Sequence, residues 1–311
     1  MSLHSSIQWC DGTVNPVMGC DGCELWQARG GSGERRRSCY AGILHERGAG
    51  KKPGHAPTFE QPTLFPGRVA KAAAAPDLTG KARDDKPWLD GLPRHWFVSD
   101  MGDALSHSVP FEYLAKEIIE VAHSSAGSRH VWLWLTKQPR RMAEFFEKQL
   151  GGRGWPTNVY PGTSITAMES IERLRRIDAL RRVGDASTTR FLSVEPQLEE
   201  VSLAAHLEGI GWVIQGGESE AKRTTPGTPE YERYGARPFH VEWARTLRDE
   251  CGATGVPYFL KQLGTRPLEG GAPLVLRDRH GGNWSEWPED LLVRQVPGRP
   301  TVTGTRAEVA R

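Results

Sequence analysis

Short apolar segments alternate with helical segments from Trp96 to Gln262, and this alternation constrains the fold more than any other feature of the sequence. The segment VWLWLTK at Val131–Lys137 is nearly all apolar, as expected of a strand that is covered on both faces. Strands that alternate with helices indicate βα units and a mainly parallel sheet. The six predicted strands are Trp96–Asp100, Val131–Lys137, Val159–Ile165, Phe191–Glu195, Trp212–Gly216 and Tyr258–Gln262, and a seventh is expected at Ile7–Trp9.

This number of βα units predicts an α/β fold with a partial or full parallel (β/α) barrel. The clearest helix is Met168–Val183, where apolar residues recur at helical spacing and arginines cover much of the rest. Residues 1–265 are predicted to form the barrel domain, with a cluster loop at 10–40. Residues 266–311 are predicted to form a carboxyl-terminal extension, with a cap at Asp278–Pro288 and a loose tail at Val296–Arg311. The other predicted helices are Ala41–Arg47, Pro66–Ala75, Phe111–His123, Arg140–Gln149 and Val241–Cys251.

The composition is that of a globular protein. Of the 311 residues, 38% are hydrophobic and 25% charged, which is not typical of a disordered or membrane protein. The net charge of +2 favours no particular partner, and the opening MSLHSSIQW lacks the apolar run of a secretory signal. With no apolar run near the length of a membrane span, we expect a cytoplasmic protein without membrane association.

Three cysteines lie close together near the start of the chain. Cys20 and Cys23 form a C-x-x-C pair, and Cys39 follows a loop that contains Arg35–Arg37. In a reducing cytoplasm such a group binds metal more often than it forms disulfides. Zinc sites and iron–sulfur clusters normally take four protein ligands, so three thiolates would leave one coordination position open. His45 or Cys10 could instead complete a zinc site, so both metals stay open at this point, as does a group of core cysteines without metal.

Polar residues follow the predicted strands. In parallel barrels the functional groups lie at the carboxyl ends of the strands, so these residues are expected to converge on one pocket. The cations could bind a carboxylate or a phosphate, the carboxylates an ammonium group or sugar hydroxyls, and the glycine pair could let a ligand approach the backbone. The residues are Asp103, Lys137, Ser164, Glu195, Gly216, Gly217, Glu218 and Lys261.

Tryptophans and arginines in loops could bind nucleic acid by stacking on bases and by contacting phosphates. The favoured alternative is that these tryptophans pack and these arginines are solvated. The residues concerned are Trp9, Trp26, Trp155, Trp284, Trp287, Arg35–Arg37 and Arg140–Arg141.

A series of motifs from Ile7 to Gly264 resembles a family of phage proteins with a three-cysteine motif, similar to the radical S-adenosylmethionine superfamily. The motifs, in order, are NPVMGCDGC, CYAG, TLFPGR, WFVSDMGD, WLTKQPRRM, FLSVEPQL, WVIQGGES, ARPF and VPYFLKQLG. The cysteine spacing here is C-x2-C-x15-C, which departs from the common C-x3-C-x2-C of that superfamily.

The resemblance implies that Cys20, Cys23 and Cys39 bind a 4Fe-4S cluster, whose open iron would bind S-adenosylmethionine. A 5′-deoxyadenosyl radical would then abstract hydrogen from an unidentified substrate, with electrons from an external donor. Nucleic acid or its components are one option for that substrate. The alternative is a non-catalytic, nucleic-acid-associated binding protein with a structural zinc site.

The strand ends and the resemblance together predict roles for individual residues. Those predicted to bind the cofactor are Tyr40, Met101, Gly102, Asp103, Ser164, Gly216, Gly217 and Glu218, and those predicted to be catalytic are Lys137, Glu195 and Lys261.

Overall fold

The computed structural model describes residues 1–26, 38–48, 51–151, 153–220, 224–225 and 227–299. The strands are β1 Gly12–Val14, β2 Val17–Met18, β3 Thr63–Leu64, β4 Arg94–Val98, β5 His130–Thr136, β6 Val159–Ser164, β7 Phe191–Val194, β8 Trp212–Gly216, β9 Phe239–His240, β10 Tyr258–Gln262, β11 Pro267–Glu269 and β12 Ala272–Pro273. The helices are α1 Tyr40–Glu46, α2 Arg68–Ala73, α3 Phe111–Leu114, α4 Val121–His123, α5 Pro139–Phe145, α6 Met168–Glu172, α7 Arg176–Arg181, α8 Pro229–Tyr234 and α9 Val241–Thr254. None of the described helices is both long and apolar enough to cross a membrane.

A seven-stranded sheet forms the centre of the fold. Its strand order is β1-β4-β5-β6-β7-β8-β10, and every neighbouring pair is parallel. The sheet curls into a half-barrel, which confirms the predicted partial β/α barrel and all six strands between Trp96 and Gln262. Because all seven strands run in one direction, their carboxyl ends lie along one edge, here called the carboxyl edge.

The seventh strand is Gly12–Val14, so the strand predicted at Ile7–Trp9 is wrong. A turn from Ile7 to Cys10 precedes β1, and the Trp9 ring is buried with its centroid 4.5 Å from that of Phe97. An apolar side chain that fills the core from a turn has the same sequence signal as one on a short strand.

Both faces of the sheet are covered, for which reason its strands are apolar. Trp96 and Trp132 belong to the larger core, which includes apolar residues of the helices. Phe97 and Leu133, one position further along the same strands, belong to a second core rich in aromatic rings. The alternation follows from the two-residue period of a strand.

The segment between α2 and β4 closes the amino-terminal end of β1. Arg83 Nε lies 2.7 Å from Asp11 Oδ1, and both side chains are almost fully buried. Lys86 Nζ donates to the carbonyls of Ser5 and Cys10 at 2.5 and 2.6 Å. These contacts fill the amino-terminal end of β1 with protein groups.

The single helix predicted at Met168–Val183 is wrong, because the chain forms α6 and α7 with a break between them. Arg175 in the break has a φ of +52°, in the left-handed region. The apolar period of the sequence continues across the break, so no local pattern marks it. Arg176, the first residue of α7, has a partner in the cysteine region, described below. The other predicted helices are confirmed, although π-helical segments at Ala115–Glu120 and Phe146–Leu150 extend α3 and α5.

The segment after β10 packs on the half-barrel. Leu260 N donates to Val293 O and Gln295 N to Tyr258 O, so the segment covers the free edge of β10. Within the cap predicted at Asp278–Pro288, Trp287 is fully buried, and Val296 of the predicted loose tail is also buried. The tail prediction is therefore wrong at Val296, and residues 300–311 lie outside the described part of the chain. The division between residues 265 and 266 stays a prediction.

Candidate functional site

The three cysteines lie in a loop that follows β1 and is attached to loops after several other strands. We call residues 19–26 and 38–39 the cysteine loop. Leu25 O accepts hydrogen bonds from Ser38 N and Cys39 N at 3.0 and 3.1 Å, so the two parts of the loop are joined to each other. Four contacts hold this loop along the carboxyl edge.

The first contact is between two backbones. Gly19 N donates to Met101 O at 3.1 Å, and Asp103 N donates to Gly19 O at 3.2 Å. A Cβ on Gly102 would lie only 2.3 Å from Gly19 O, so this position has no space for a side chain. Gly102 therefore allows the loop after β4 to pair with the cysteine loop.

The Asp103 carboxylate is bound by three donors of the protein. Its carboxylate accepts from Thr136 Oγ1 at 2.8 Å, Lys137 N at 3.0 Å and Leu105 N at 2.9 Å, and the residue is buried. Burial raises the pKa of Asp103, while these hydrogen bonds act in the opposite direction. The carboxylate thus joins the loop after β4 to the end of β5.

The second contact is made by Asp21, between Cys20 and Cys23. Its carboxylate accepts from His107 N at 2.5 Å and from Gln138 Nε2 at 3.1 Å. These donors come from the loops after β4 and β5, so the C-x-x-C turn is fixed on both.

The third contact is a bidentate ion pair between Glu24 and Arg176. The distances are 2.7 Å (Nη2–Oε2) and 2.9 Å (Nη1–Oε1), and Thr166 Oγ1 donates to Glu24 Oε1 at 3.0 Å. Burial alone would raise the pKa of Glu24, but the Arg176 guanidinium outweighs it and lowers this pKa to about 2. Arg176 also donates to Ser164 O at 3.0 Å, so the pair links the cysteine loop to the end of β6.

The fourth contact reaches the loop after β8. Arg237 donates to both carboxylate oxygens of Glu218 at 2.8 and 2.6 Å and to Ser38 Oγ at 3.2 Å. Because Ser38 precedes Cys39, this contact positions the third cysteine. Both oxygens of Glu218 are occupied by Arg237.

The three thiols influence one another electrostatically. Burial raises the pKa of Cys20 most, followed by the Asp103 carboxylate and then by the neighbouring thiols. Burial also raises the pKa of Cys23 to about 11, although Lys137 opposes this. Gly22 N donates to Cys20 Sγ at 3.4 Å, a hydrogen bond of the kind that tunes cluster-bound sulfur. Cysteine thiols and backbone N–H donors to sulfur are the chemical groups that a sulfur-ligated metal centre uses. Nevertheless, no three His, Cys, Asp or Glu residues within the described ranges stand in an arrangement ready to hold a metal ion.

Neither predicted fourth zinc ligand is free where the structure places it. Cys10 lies before β1, at the end of that strand opposite to the cysteine loop, and is fully buried in the second core. His45 Nε2 is hydrogen-bonded to Ala56 O at 2.7 Å. Cys251 is buried on α9 in the larger core.

Two groups at the carboxyl edge have side chains that a ligand could contact. The Lys137 ammonium has no carboxylate partner among the described residues, although it influences Cys23 and Glu24. Lys261 forms an ion pair with Glu195, and both side chains are 17% exposed. This pair lies beside Gly216, where a Cβ would be 3.4 Å from the Glu195 carboxyl carbon.

The other residues with a predicted cofactor role differ in their settings. Gly217 has no room for a side chain, because a Cβ there would lie 2.4 Å from Leu263 O. Ser164 is buried, and Tyr40, next to Cys39, is 58% exposed at the start of α1. These residues border the site, and their roles toward a cofactor stay predictions.

The family model described as "Protein of unknown function (DUF5131)" matches residues 4–288. The chain belongs to this family. The match spans β1 to the last tryptophan of the cap and so covers both the half-barrel and the cysteine loop. The description states no activity, and the resemblance to phage and radical S-adenosylmethionine proteins stays a prediction. No match is found among curated proteins.

The favoured interpretation, that the loop tryptophans pack in the protein rather than stack on bases, is confirmed. Trp9, Trp26, Trp155 and Trp287 are buried in hydrophobic cores, and Trp284 packs with its ring 5.1 Å from that of Trp88. Large rings are scarce in the polar loops but abundant in the interior, because their burial removes much apolar area from water.

The predicted phosphate-binding arginines have separate outcomes. Arg141 donates to the carbonyls of His107 and Val109, so it holds a loop in place, whereas Arg140 is exposed. Arg35–Arg37 lie outside the described residues.

Sequence reasoning missed the residues that hold the loop, namely Asp21, Glu24, Arg176 and Arg237. Arg176 is 152 residues from Glu24, and Arg237 is 199 residues from Ser38. Two of the four lie in motifs of the sequence, Asp21 in NPVMGCDGC and Arg237 in ARPF. Their roles depend on which loops the sheet brings together.

Proposed function

We propose that this protein is an iron–sulfur enzyme of the radical S-adenosylmethionine type, which acts on a substrate bound at the carboxyl edge. One observation carries the proposal: a loop with three cysteines follows the first strand of a parallel half-barrel and is held along the strand ends where such folds place their active sites. Three thiolates supply fewer ligands than a structural zinc site or a fully ligated cluster uses.

In this proposal Cys20, Cys23 and Cys39 ligate a 4Fe-4S cluster. When bound, the cluster and S-adenosylmethionine would supply a 5′-deoxyadenosyl radical for hydrogen abstraction, with electrons from an external donor. The four contacts of the cysteine loop keep the sulfur ligands at the edge of the sheet. Since the loop is tied to residues from four strand ends, its position is decided by the half-barrel.

The ligand-binding groups are Lys137, Glu195 and Lys261. The Lys137 ammonium lies next to the cysteine loop and has no carboxylate partner among the described residues. It is therefore placed to bind a carboxylate of a ligand. Glu195 and Lys261 can give up their mutual ion pair when a ligand binds. Glu195 would then bind an ammonium or hydroxyl group of the ligand, and Lys261 an anionic group. Asp103 and Glu218 act as positioning residues, because protein donors occupy their carboxylate oxygens.

The test is anaerobic reconstitution of the full chain with iron and sulfide, followed by reduction in the presence of S-adenosylmethionine. We expect a cluster charge-transfer absorption, about four irons per chain and formation of 5′-deoxyadenosine. The variants C20A, C23A and C39A should each lose the iron. C251A and C10A are matched controls, because each removes a buried thiol outside the loop. Both should retain the iron.

Two results would overturn the proposal. One is stoichiometric zinc, without iron, in protein purified in the absence of oxygen. The other is the same iron content in the loop variants and in the controls, which would mean that the three cysteines are not the ligands.

A further inference from the structure

A cleft of about 460 Å³ lies where the loop after β8 meets the segment after β10. This volume is in the range of small-molecule sites, about 300–1,000 Å³. Three arginines line it, Arg266, Arg277 and Arg279, and Leu274 and Leu276 add an apolar wall. The residues proposed above to bind the cluster and its ligands do not line this cleft.

The arginines have unused donors. Within the described part of the chain none of them pairs with a carboxylate. Arg266 donates to Ala236 O at 3.4 Å and Arg279 to Glu220 O at 3.0 Å, and each guanidinium has about five N–H donors. Most of their hydrogen-bonding capacity is therefore left for a ligand.

The two carboxylates of the cleft are already occupied. Glu220 accepts from Thr224 Oγ1 at 3.0 Å and from Ala236 N at 3.2 Å. Asp278 accepts backbone N–H groups from His280 and Gly282 at 3.0 and 2.7 Å. Since these carboxylates bind neutral donors, they do not neutralise the guanidinium groups through direct ion pairs.

Part of this cation cluster is fixed in place before a ligand binds. The Arg266 guanidinium carbon lies 5.0 Å from the centre of the Tyr231 ring, which holds the guanidinium plane by a cation–π contact. Arg279 is held by its bond to the Glu220 carbonyl, and Arg277 and Arg279 are exposed. A fixed guanidinium loses less entropy on binding an anion than a free one.

The cleft adjoins the candidate site. Thr265 N donates to Glu218 O at 2.9 Å, and the Glu218 carboxylate is joined through Arg237 to Ser38 of the cysteine loop. A ligand anchored in the cleft would therefore lie close to the carboxyl edge.

We propose that this cleft binds the phosphate of a nucleotide, either free or as part of a single-stranded nucleic acid. Guanidinium groups bind phosphate in bidentate geometry, and the leucine wall can contact the sugar or the base. This site does not depend on the metal centre. If both proposals hold, it restricts the substrate class of the enzyme to phosphate esters.

The test measures binding of a fluorescein-labelled 12-nucleotide single-stranded DNA to the full chain by fluorescence anisotropy, and of AMP by calorimetry. The test variant is R277A/R279A, in which both side chains are exposed. The control is R153A/R182A, which removes the same charge from exposed positions outside the cleft. We expect a Kd at least about tenfold higher for the test variant, and for DNA a salt slope smaller by about 1.4, at about 0.7 per phosphate contact.

Weaker binding by R277A/R279A, with wild-type affinity in R153A/R182A, supports the site. If only the affinity for DNA falls, the ligand is a single-stranded nucleic acid, and if only the affinity for AMP falls, it is a free nucleotide. An equal loss of affinity in both double variants would show binding by overall charge and would overturn the proposed phosphate site. Unchanged affinity in R277A/R279A, or no binding of either probe by the wild type, would also overturn it. Iron content of R277A/R279A should equal that of the wild type, so the outcome is independent of the test of the metal centre.

Discussion

The ion pair between Glu24 and Arg176 should decide whether the cysteine loop keeps its place, and E24Q removes its negative charge. The side chain of Arg176 is 5% exposed and that of Glu24 is 23% exposed. A pKa of about 2 for Glu24, in place of 4.5, corresponds to about 3 kcal/mol in favour of the charged form. Removal of one partner from a buried pair costs about 3–5 kcal/mol, since the remaining charge is left uncompensated.

We therefore expect E24Q to lower the free energy of unfolding by about 3 kcal/mol, or the Tm by about 6 °C at about 2 °C per kcal/mol. Urea and thermal unfolding followed by circular dichroism measure this loss. The matched control is E169Q, because the Glu169–Arg173 pair has side chains that are 52% and 68% exposed. An exposed pair contributes at most about 1 kcal/mol.

A double-mutant cycle with R176M isolates the pair itself. A coupling energy of about 2 kcal/mol or more is expected for E24Q and R176M. A coupling energy below about 0.5 kcal/mol, or a loss of stability in E24Q no larger than in E169Q, would show that this ion pair does not stabilise the loop. E24Q should also bind less iron in the reconstitution, because the loop that carries Cys23 is released from β6.

Three further predictions concern buried or hydrogen-bonded polar groups. D103N should lower the free energy of unfolding by about 2–3 kcal/mol in urea, because the amide nitrogen would face one of two backbone donors, Leu105 N or Lys137 N. A stability equal to that of the wild type would contradict this. R294M should lower the free energy of unfolding by about 3 kcal/mol, because Arg294 is 2% exposed and donates to three carbonyls that would lose their partner. A Tm equal to that of the wild type would count against this prediction. Burial alone would raise the pKa of Asp278, but backbone hydrogen bonds outweigh it and hold this pKa below 3.8. The Asp278 carboxylate therefore stabilises the fold fully above pH 3.8, and this stabilisation is lost as the pH falls further. The stability difference between wild type and D278N, measured by urea unfolding, should thus shrink below pH 3.8, and a difference that stays constant down to about pH 2 would exclude this.

The sequence predicted the strands and most helices of the half-barrel, but not which protein groups each site residue contacts. The strands after Trp96 were found because alternation of apolar strands and helices is a local signal. The structure shows that protein donors bind the carboxylates of Asp103 and Glu218, and their predicted role toward a cofactor stays a prediction. A strand-end carboxylate has the same local sequence in either role, so only its surroundings distinguish them.

The sequence by itself determined the parallel βα order, the edge at which polar groups collect and the grouping of three cysteines after the first strand. These features follow from the periods of strands and helices and from spacing along the chain. The tertiary structure alone decided which residues hold the cysteine loop, where the helix at Met168–Val183 breaks, and that three arginines share one cleft. The physical reason is distance along the chain: Glu24 meets Arg176 only after the sheet has brought the carboxyl ends of β1 and β6 to the same edge.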